Sequence, residues 1–163
     1  MFPKVGDHVP DLDLLDEAGK PAKLSSLAGR GPLLTLAFGG PRDEAGVKLL
    51  RDFRDMTLAL RKSGVSICGI APAEPMSLAY MRAERGLAFP LFADPDGWLS
   101  ETGLLLIDRN LVVRQRAVGA RADADQMLTF IRRGGARPSR LRDRAGHLLL
   151  ALSHAIAPRR LAR

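Results

Sequence analysis

The chain has 163 residues, 46% of them hydrophobic and 26% charged, a composition ordinary for a globular protein and long enough for one domain with a proper core. Its single cysteine, Cys68, excludes an internal disulfide and a four-thiolate zinc site. No apolar run approaches a membrane span, and Pro3, Asp7 and Pro10 interrupt the segment where a signal peptide would need unbroken apolar sequence, so a cytoplasmic location is expected. The net charge of +7 is uneven: from Arg132 to Arg163 nine arginines stand against one acid, Asp143, which gives the tail +8 and leaves residues 1–131 at about −1.

In chain order, a short strand is expected around Leu12 to Leu15, a turn at Glu17-Ala18-Gly19, a second extended piece to Leu24, and one helical turn capped by Ser25 or Ser26. Leu33, Leu34, Leu36, Ala37 and Phe38 are a continuous apolar run closed by Gly39-Gly40-Pro41, the pattern of a central strand buried on both faces. Asp43 and Glu44 then open a helix at the end where its dipole favours negative charge. Leu49, Leu50, Phe53, Met56 and Leu60 recur behind them at helical spacing. Gly64 to Ala71, rich in β-branched residues, is a second buried strand, and strand, helix, strand implies a parallel pair with a right-handed crossover. A helix is predicted over 74–85, then an extended piece and a turn through Asp94-Pro95-Asp96-Gly97. A hairpin follows from Leu104 to Val118 about Asp108-Arg109-Asn110, and a last helix from about Asp123 to Arg132.

This order of elements, parallel strands first and an antiparallel hairpin and a helix at the end, is that of an α/β thioredoxin-like fold with a central mixed sheet. The segments VGDHVPDLDLLDEAGKPAKLSSLAGRGPLLTLAFGGP, FRD, GVSICGIA, GLAFPLFADPDG and LLLIDRNLVVRQRAVG, in that order, resemble the peroxiredoxins of the alkyl hydroperoxide reductase and thiol-specific antioxidant group. The resemblance runs from about Val5 to Arg132. It implies a peroxidatic cysteine in the first turn of the helix, inside a Pro-x-x-x-Thr-x-x-Cys pattern, where helix N-terminus and arginine stabilise a thiolate. Aligned on Phe53-Arg54-Asp55, the cysteine position falls at Gly46 and the threonine position at Asp43, and no Cys, Ser or Thr occurs between Phe38 and Leu50. Pro41, Asp43 and Gly46 thus mark a degenerate site. The place of the fold's usual cis-proline is taken by Glu101-Thr102-Gly103, and the peroxide-polarising arginine that the resemblance implies is missing there.

Cys68 is the one remaining thiol. Val65, Ile67, Ile70 and Ala71 around it favour a core residue with a raised pKa, and a reactive one is the alternative. Asp94-Pro95-Asp96-Gly97 is a turn rather than a cation loop, since no bidentate acid follows at the right distance. No phosphate loop, dinucleotide fingerprint or nucleophile elbow occurs, so no cofactor and no metal are expected.

Residues 1–133 form the thioredoxin-like domain and 134–163 a basic tail. In the tail Leu141, Ala145, Leu148, Leu149, Leu152 and Ile156 make one stripe at offsets of three and four, an amphipathic helix ended by Pro158. A protein partner is expected to meet Arg140, Arg142, Arg144, Leu148, Leu152, Ile156, Arg159 and Arg160. Packing back on the domain, a homo-oligomer, an acidic membrane surface and nucleic acid are alternatives, and the lack of aromatic residues in the tail weakens the last. Two functional expectations follow: a binding or structural subunit of peroxiredoxin type that has lost its chemistry, or a thiol-dependent peroxidase using Cys68.

Overall fold

Seven short strands form one mixed sheet in the order β2-β1-β5-β4-β3-β6-β7 in the computed structural model, which describes residues 2–29, 31–119 and 122–135. The strands are β1 (Asp13–Leu15), β2 (Pro21–Lys23), β3 (Leu33–Ala37), β4 (Ser66–Ala71), β5 (Leu91–Ala93), β6 (Gly103–Ile107) and β7 (Val113–Val118). The helices are α1 (Leu24–Ala28), α2 (Glu44–Arg54), α3 (Thr57–Lys62), α4 (Pro75–Arg85) and α5 (Ala124–Arg132). All five residues of β3 are buried, as the unbroken apolar run requires. It lies at the centre, parallel to β4 on one side and antiparallel to β6 on the other. The expected thioredoxin-like order is therefore the observed one.

Two apolar layers enclose the sheet. One face carries Leu34, Leu36 and Phe38 against Leu49, Leu50 and Phe53 of α2, Leu60 of α3, Leu78 and Met81 of α4, and Leu128 and Ile131 of α5. Covering a side chain such as Leu50 or Phe53 contributes about 1.5–3 kcal/mol relative to leaving it in water. The other face carries Leu33, Ala37, Cys68 and Ile70 under Phe2, Val9, Leu24 and Leu99. The N-terminal segment also hydrogen-bonds beside the second hairpin strand, with the Gly6 amide donating to the Val113 carbonyl at 2.8 Å and the Val113 amide to the Asp7 carbonyl at 2.9 Å. Part of that outer sheet edge is covered in this way.

Local chemistry corrects three expectations. The single helix from Asp43 to Leu60 is two, because the Thr57 hydroxyl donates to the Phe53 and Arg54 carbonyls at 3.3 and 2.9 Å and competes with the helical ladder where α2 ends. Neither Ser25 nor Ser26 caps α1, whose cap residue is Lys23. The Ser25 amide is instead satisfied by the Asp11 carboxylate at 2.8 Å, fourteen residues upstream. The last strand begins at Val113 rather than Leu111, since Leu111 has φ +60 and the Asp108 carboxylate holds the turn by accepting from the Asn110 and Val112 amides at 2.8 and 3.0 Å. Asp108 is 1% exposed and is balanced by Arg114, whose Nε donates to it at 2.7 Å. Among the described residues no helix is long and apolar enough to cross a membrane. The tail from residue 136, with its predicted amphipathic helix, lies outside the described residues.

Candidate functional site

The turn from β3 into α2 is where the sequence places the site. Gly40, at φ +110, is a conformation that only glycine adopts readily, and it turns the chain from the buried strand to the exposed Pro41 and Arg42. Asp43 is the N-cap of α2. One of its carboxylate oxygens accepts from the Gly46 amide at 3.0 Å; the other accepts from the Gly39 amide at 2.8 Å and from the Thr102 hydroxyl. Partial burial would raise the Asp43 pKa, but hydrogen bonds from the Gly39 amide, Thr102 and the Gly46 and Ala45 amides outweigh it and hold the carboxyl below the usual range. The helix N-terminus is thus already supplied with an anion by the chain itself.

That carboxylate also decides what residue 46 can be. A Cβ on Gly46 would stand 2.4 Å from Asp43 Oδ2 and 2.4 Å from the Phe38 Cβ. No side chain fits there without displacing the acid and shifting the backbone. Of the three residues read from the sequence, Asp43 and Gly46 come together, while Pro41 is exposed in the turn. Thr102 and Gly39 complete the cluster and were not singled out as its members. The signal for Thr102 was its place just before β6, which runs beside β3 and ends its pairing at Ala37 opposite Gly103.

Cys68 lies elsewhere. It pairs with Thr35 across the parallel ladder and sits in the apolar layer on the sheet face opposite α2. It is 1% exposed, and burial pushes its thiol up to about 12. A cavity of about 250 Å³ lined by Leu27, Leu33, Arg61, Cys68 and Phe92 runs over it. Arg61 points its Nη2 at the Ala88 carbonyl, 3.3 Å away, and burial alone sets the thiol's shift. Asp94 spends its carboxylate on the Leu99 amide at 3.0 Å, while the Gly97 amide donates to the Asp94 carbonyl at 3.1 Å, the bonding of a turn. The predicted partner residues Arg140, Arg142, Arg144, Leu148, Leu152, Ile156, Arg159 and Arg160 lie outside the described residues.

Comparison with known proteins gives a consistent neighbourhood. The AhpC/TSA family model matches residues 5–118. A protein of Mycobacterium tuberculosis (strain CDC 1551 / Oshkosh) named as a peroxiredoxin is 33% identical over 91 residues, covering 56% of this chain and 57% of that protein. The chain therefore matches less than two thirds of that relative's length. Among solved structures, the peroxidoxin BcpB of Mycobacterium tuberculosis superposes with a TM-score of 0.73 at 24% identity, covering 83% of this chain and 99% of that one. The Xanthomonas campestris bacterioferritin comigratory protein, whose structure is described with its alkyl peroxide reduction activity, gives 0.71 at 19% identity over 80% and 98%. At these identities the two structures speak for the fold.

Proposed function

The chain belongs to the AhpC/TSA family, and from that premise we propose that it is a catalytically degenerate member, a binding or structural subunit rather than a peroxidase. The observation that carries this is Asp43. Its carboxylate takes the amides of the α2 N-terminus and the Thr102 hydroxyl, and it stands where a side chain at position 46 would have to pass. Peroxide reduction by a thiol needs a thiolate whose sulfur attacks the peroxide oxygen and breaks the O–O bond. At this turn there is no sulfur, and an anion fixed beside it would oppose a second one.

The competing reading is a thiol peroxidase on Cys68. It draws support from the alkyl peroxide reduction named for the Xanthomonas campestris structure. Against it, a buried thiol with a pKa of about 12 holds only a trace of thiolate at neutral pH, and burial is the cause of that shift. The deciding experiment is peroxide consumption with external thiol by the full-length protein and by Cys68→Ala. Equal rates at the background of the reductant are expected; robust turnover that Cys68→Ala abolishes would overturn the reading.

A subunit without chemistry acts through what it binds. We assign that role to the basic C-terminal stretch, whose Arg140, Arg142, Arg144, Arg159 and Arg160 suit an acidic protein surface. Reversing Arg140, Arg142 and Arg144 to Glu in the full-length chain should weaken association with that partner and make the remainder less salt-sensitive.

A further inference from the structure

β7 is the last strand of the sheet, and the N-terminal segment bonds its outer side at Val113, through Gly6 and Asp7. Farther along, the ladder fixes where the backbone groups point. The Gly119 amide donates to the Thr102 carbonyl at 2.9 Å, so in the antiparallel alternation Gln115 and Ala117 turn their amides and carbonyls to β6. Arg116 and Val118 turn theirs outward. The Arg116 amide has a long contact of 3.3 Å to Gln115 Oε1, and among the described residues nothing else takes the outward groups of Arg116 and Val118. No proline or lysine guards this stretch, and the Arg116 guanidinium is held at the Phe2 and Pro3 carbonyls, 3.0 Å from each.

A concave pocket of about 420 Å³ lies beside the same edge, on the face of the sheet that carries α5. Leu104 and Met127, both buried, and half-buried Ala117 give it an apolar base, and Gln115, Asp123 and Gln126 stand around it. Asp123 spends one carboxylate oxygen on the Gln126 backbone amide at 3.0 Å. The side-chain Nε2 donors of the two glutamines have no partner among the described residues.

Edge and pocket are in register. A strand added antiparallel to β7 bonds at Arg116 and Val118, and its residue opposite Ala117 makes the close, non-hydrogen-bonded kind of pair, with both side chains on the α5 face. Ala117 carries only a methyl group, so its partner's side chain passes over it toward Leu104 and Met127. A second copy joined antiparallel through its own β7 brings Ala117 or Gln115 to that place, a group too small or too polar for an apolar base.

We propose that this edge docks an extended peptide of another protein, added as a further strand antiparallel to β7, with a leucine- or methionine-sized side chain opposite Ala117 in the pocket. The Gln115 and Gln126 amides then donate to the peptide's carbonyls. This surface is separate from the basic stretch of the functional reading, and neither the turn at Asp43 nor a thiol enters it.

The test presents the full-length protein with a display library of random heptapeptides and then measures the selected peptides in synthetic form. Enriched peptides should carry leucine, isoleucine or methionine at one fixed position within an alternating pattern. Val118→Pro removes an outward amide at an edge position where proline is tolerated, and Gln126→Trp fills the pocket from an exposed site. Each should weaken the selected peptides by about tenfold or more, with folding of both variants checked by circular dichroism. A further measurement needs no variant: on binding, the Arg116 and Val118 amides of the wild-type chain should exchange at least about tenfold more slowly. No enrichment above protein-free beads, unchanged exchange at these two amides, or peptides indifferent to both substitutions would overturn the proposal. So would a wild-type dimer in sedimentation that Val118→Pro dissociates, since the edge would then belong to a second copy.

Discussion

Asp43 and Cys68 lie on opposite sides of one sheet and hold opposite shares of what a peroxidatic centre needs. At Asp43 there are donors that stabilise an anion, the backbone amides of the turn and the Thr102 hydroxyl, and no sulfur. At Cys68 there is a sulfur, and its surroundings are the apolar side chains of the second core layer, which penalise an anion. A reactive thiolate requires both in one place. The pair teaches that presence of a cysteine and presence of the fold are independent facts. The chemistry lives in their coincidence, and in this chain the donors lie at the turn after β3 while the sulfur lies within β4.

The strongest way to break this contrast is to bring the sulfur to the turn. Gly46→Cys should cost about 3 kcal/mol, because the new Cβ meets Asp43 Oδ2 and the Phe38 Cβ. Urea unfolding measures this, and thiol titration of the variant should find no ionisation well below the ordinary cysteine value of about 8.5. A stable Gly46→Cys protein that consumed peroxide would collapse the distinction between the two regions.

Removing the resident anion comes next. Asp43→Ala should cost about 2 kcal/mol through the lost cap and the unpaired Thr102 hydroxyl. The pH dependence sharpens the point. The folded carboxyl titrates below its unfolded counterpart, so its contribution is fully present above about pH 4 and is lost as pH falls through the folded value. The difference between wild type and Asp43→Ala should therefore be flat from pH 5 to 8 and narrow below about pH 4. A difference that grew on acidification would mean that the carboxylate is not held by these donors. Thr102→Val keeps the shape and deletes one donor, at about 1 kcal/mol. Full retention of stability would place the turn's cohesion in the backbone amides alone.

The smallest effect belongs to the other region. Cys68→Ala should cost at most about 1 kcal/mol, the scale of a small deleted group in a core. In the native protein a thiol reagent should find Cys68 unreactive until denaturant exposes it. Rapid labelling under native conditions would show that the cavity over Cys68 admits small molecules and would revive the peroxidase reading.

Much of the architecture was readable from local signals. The unbroken apolar run of β3, the helical recurrence of Leu49, Leu50 and Phe53, and the Asp108–Asn110 turn each depend on residues a few positions apart. The helix break at Thr57 was missed because a threonine hydroxyl in a helical pattern gives no periodic signal of the carbonyls it will take. The α1 cap was misassigned for a longer-range reason, since Asp11 reaches Ser25 only after the first strands pair.

Composition and order alone establish that the turn after β3 has no Cys, Ser or Thr and that the chain holds one thiol. They could not say which face of β4 carries that thiol, because a strand buried on both sides shows no alternation. Nor could they say that Asp43 takes the donors at this turn, since one of the acid's partners is Thr102, 59 residues away. Both come from strand pairing: the parallel register sets Cys68 beside Thr35, and the antiparallel register sets Gly103 beside Ala37 and brings Thr102 to the turn. Registers of this kind are fixed by the packing of whole layers, so they are absent from any short stretch of sequence.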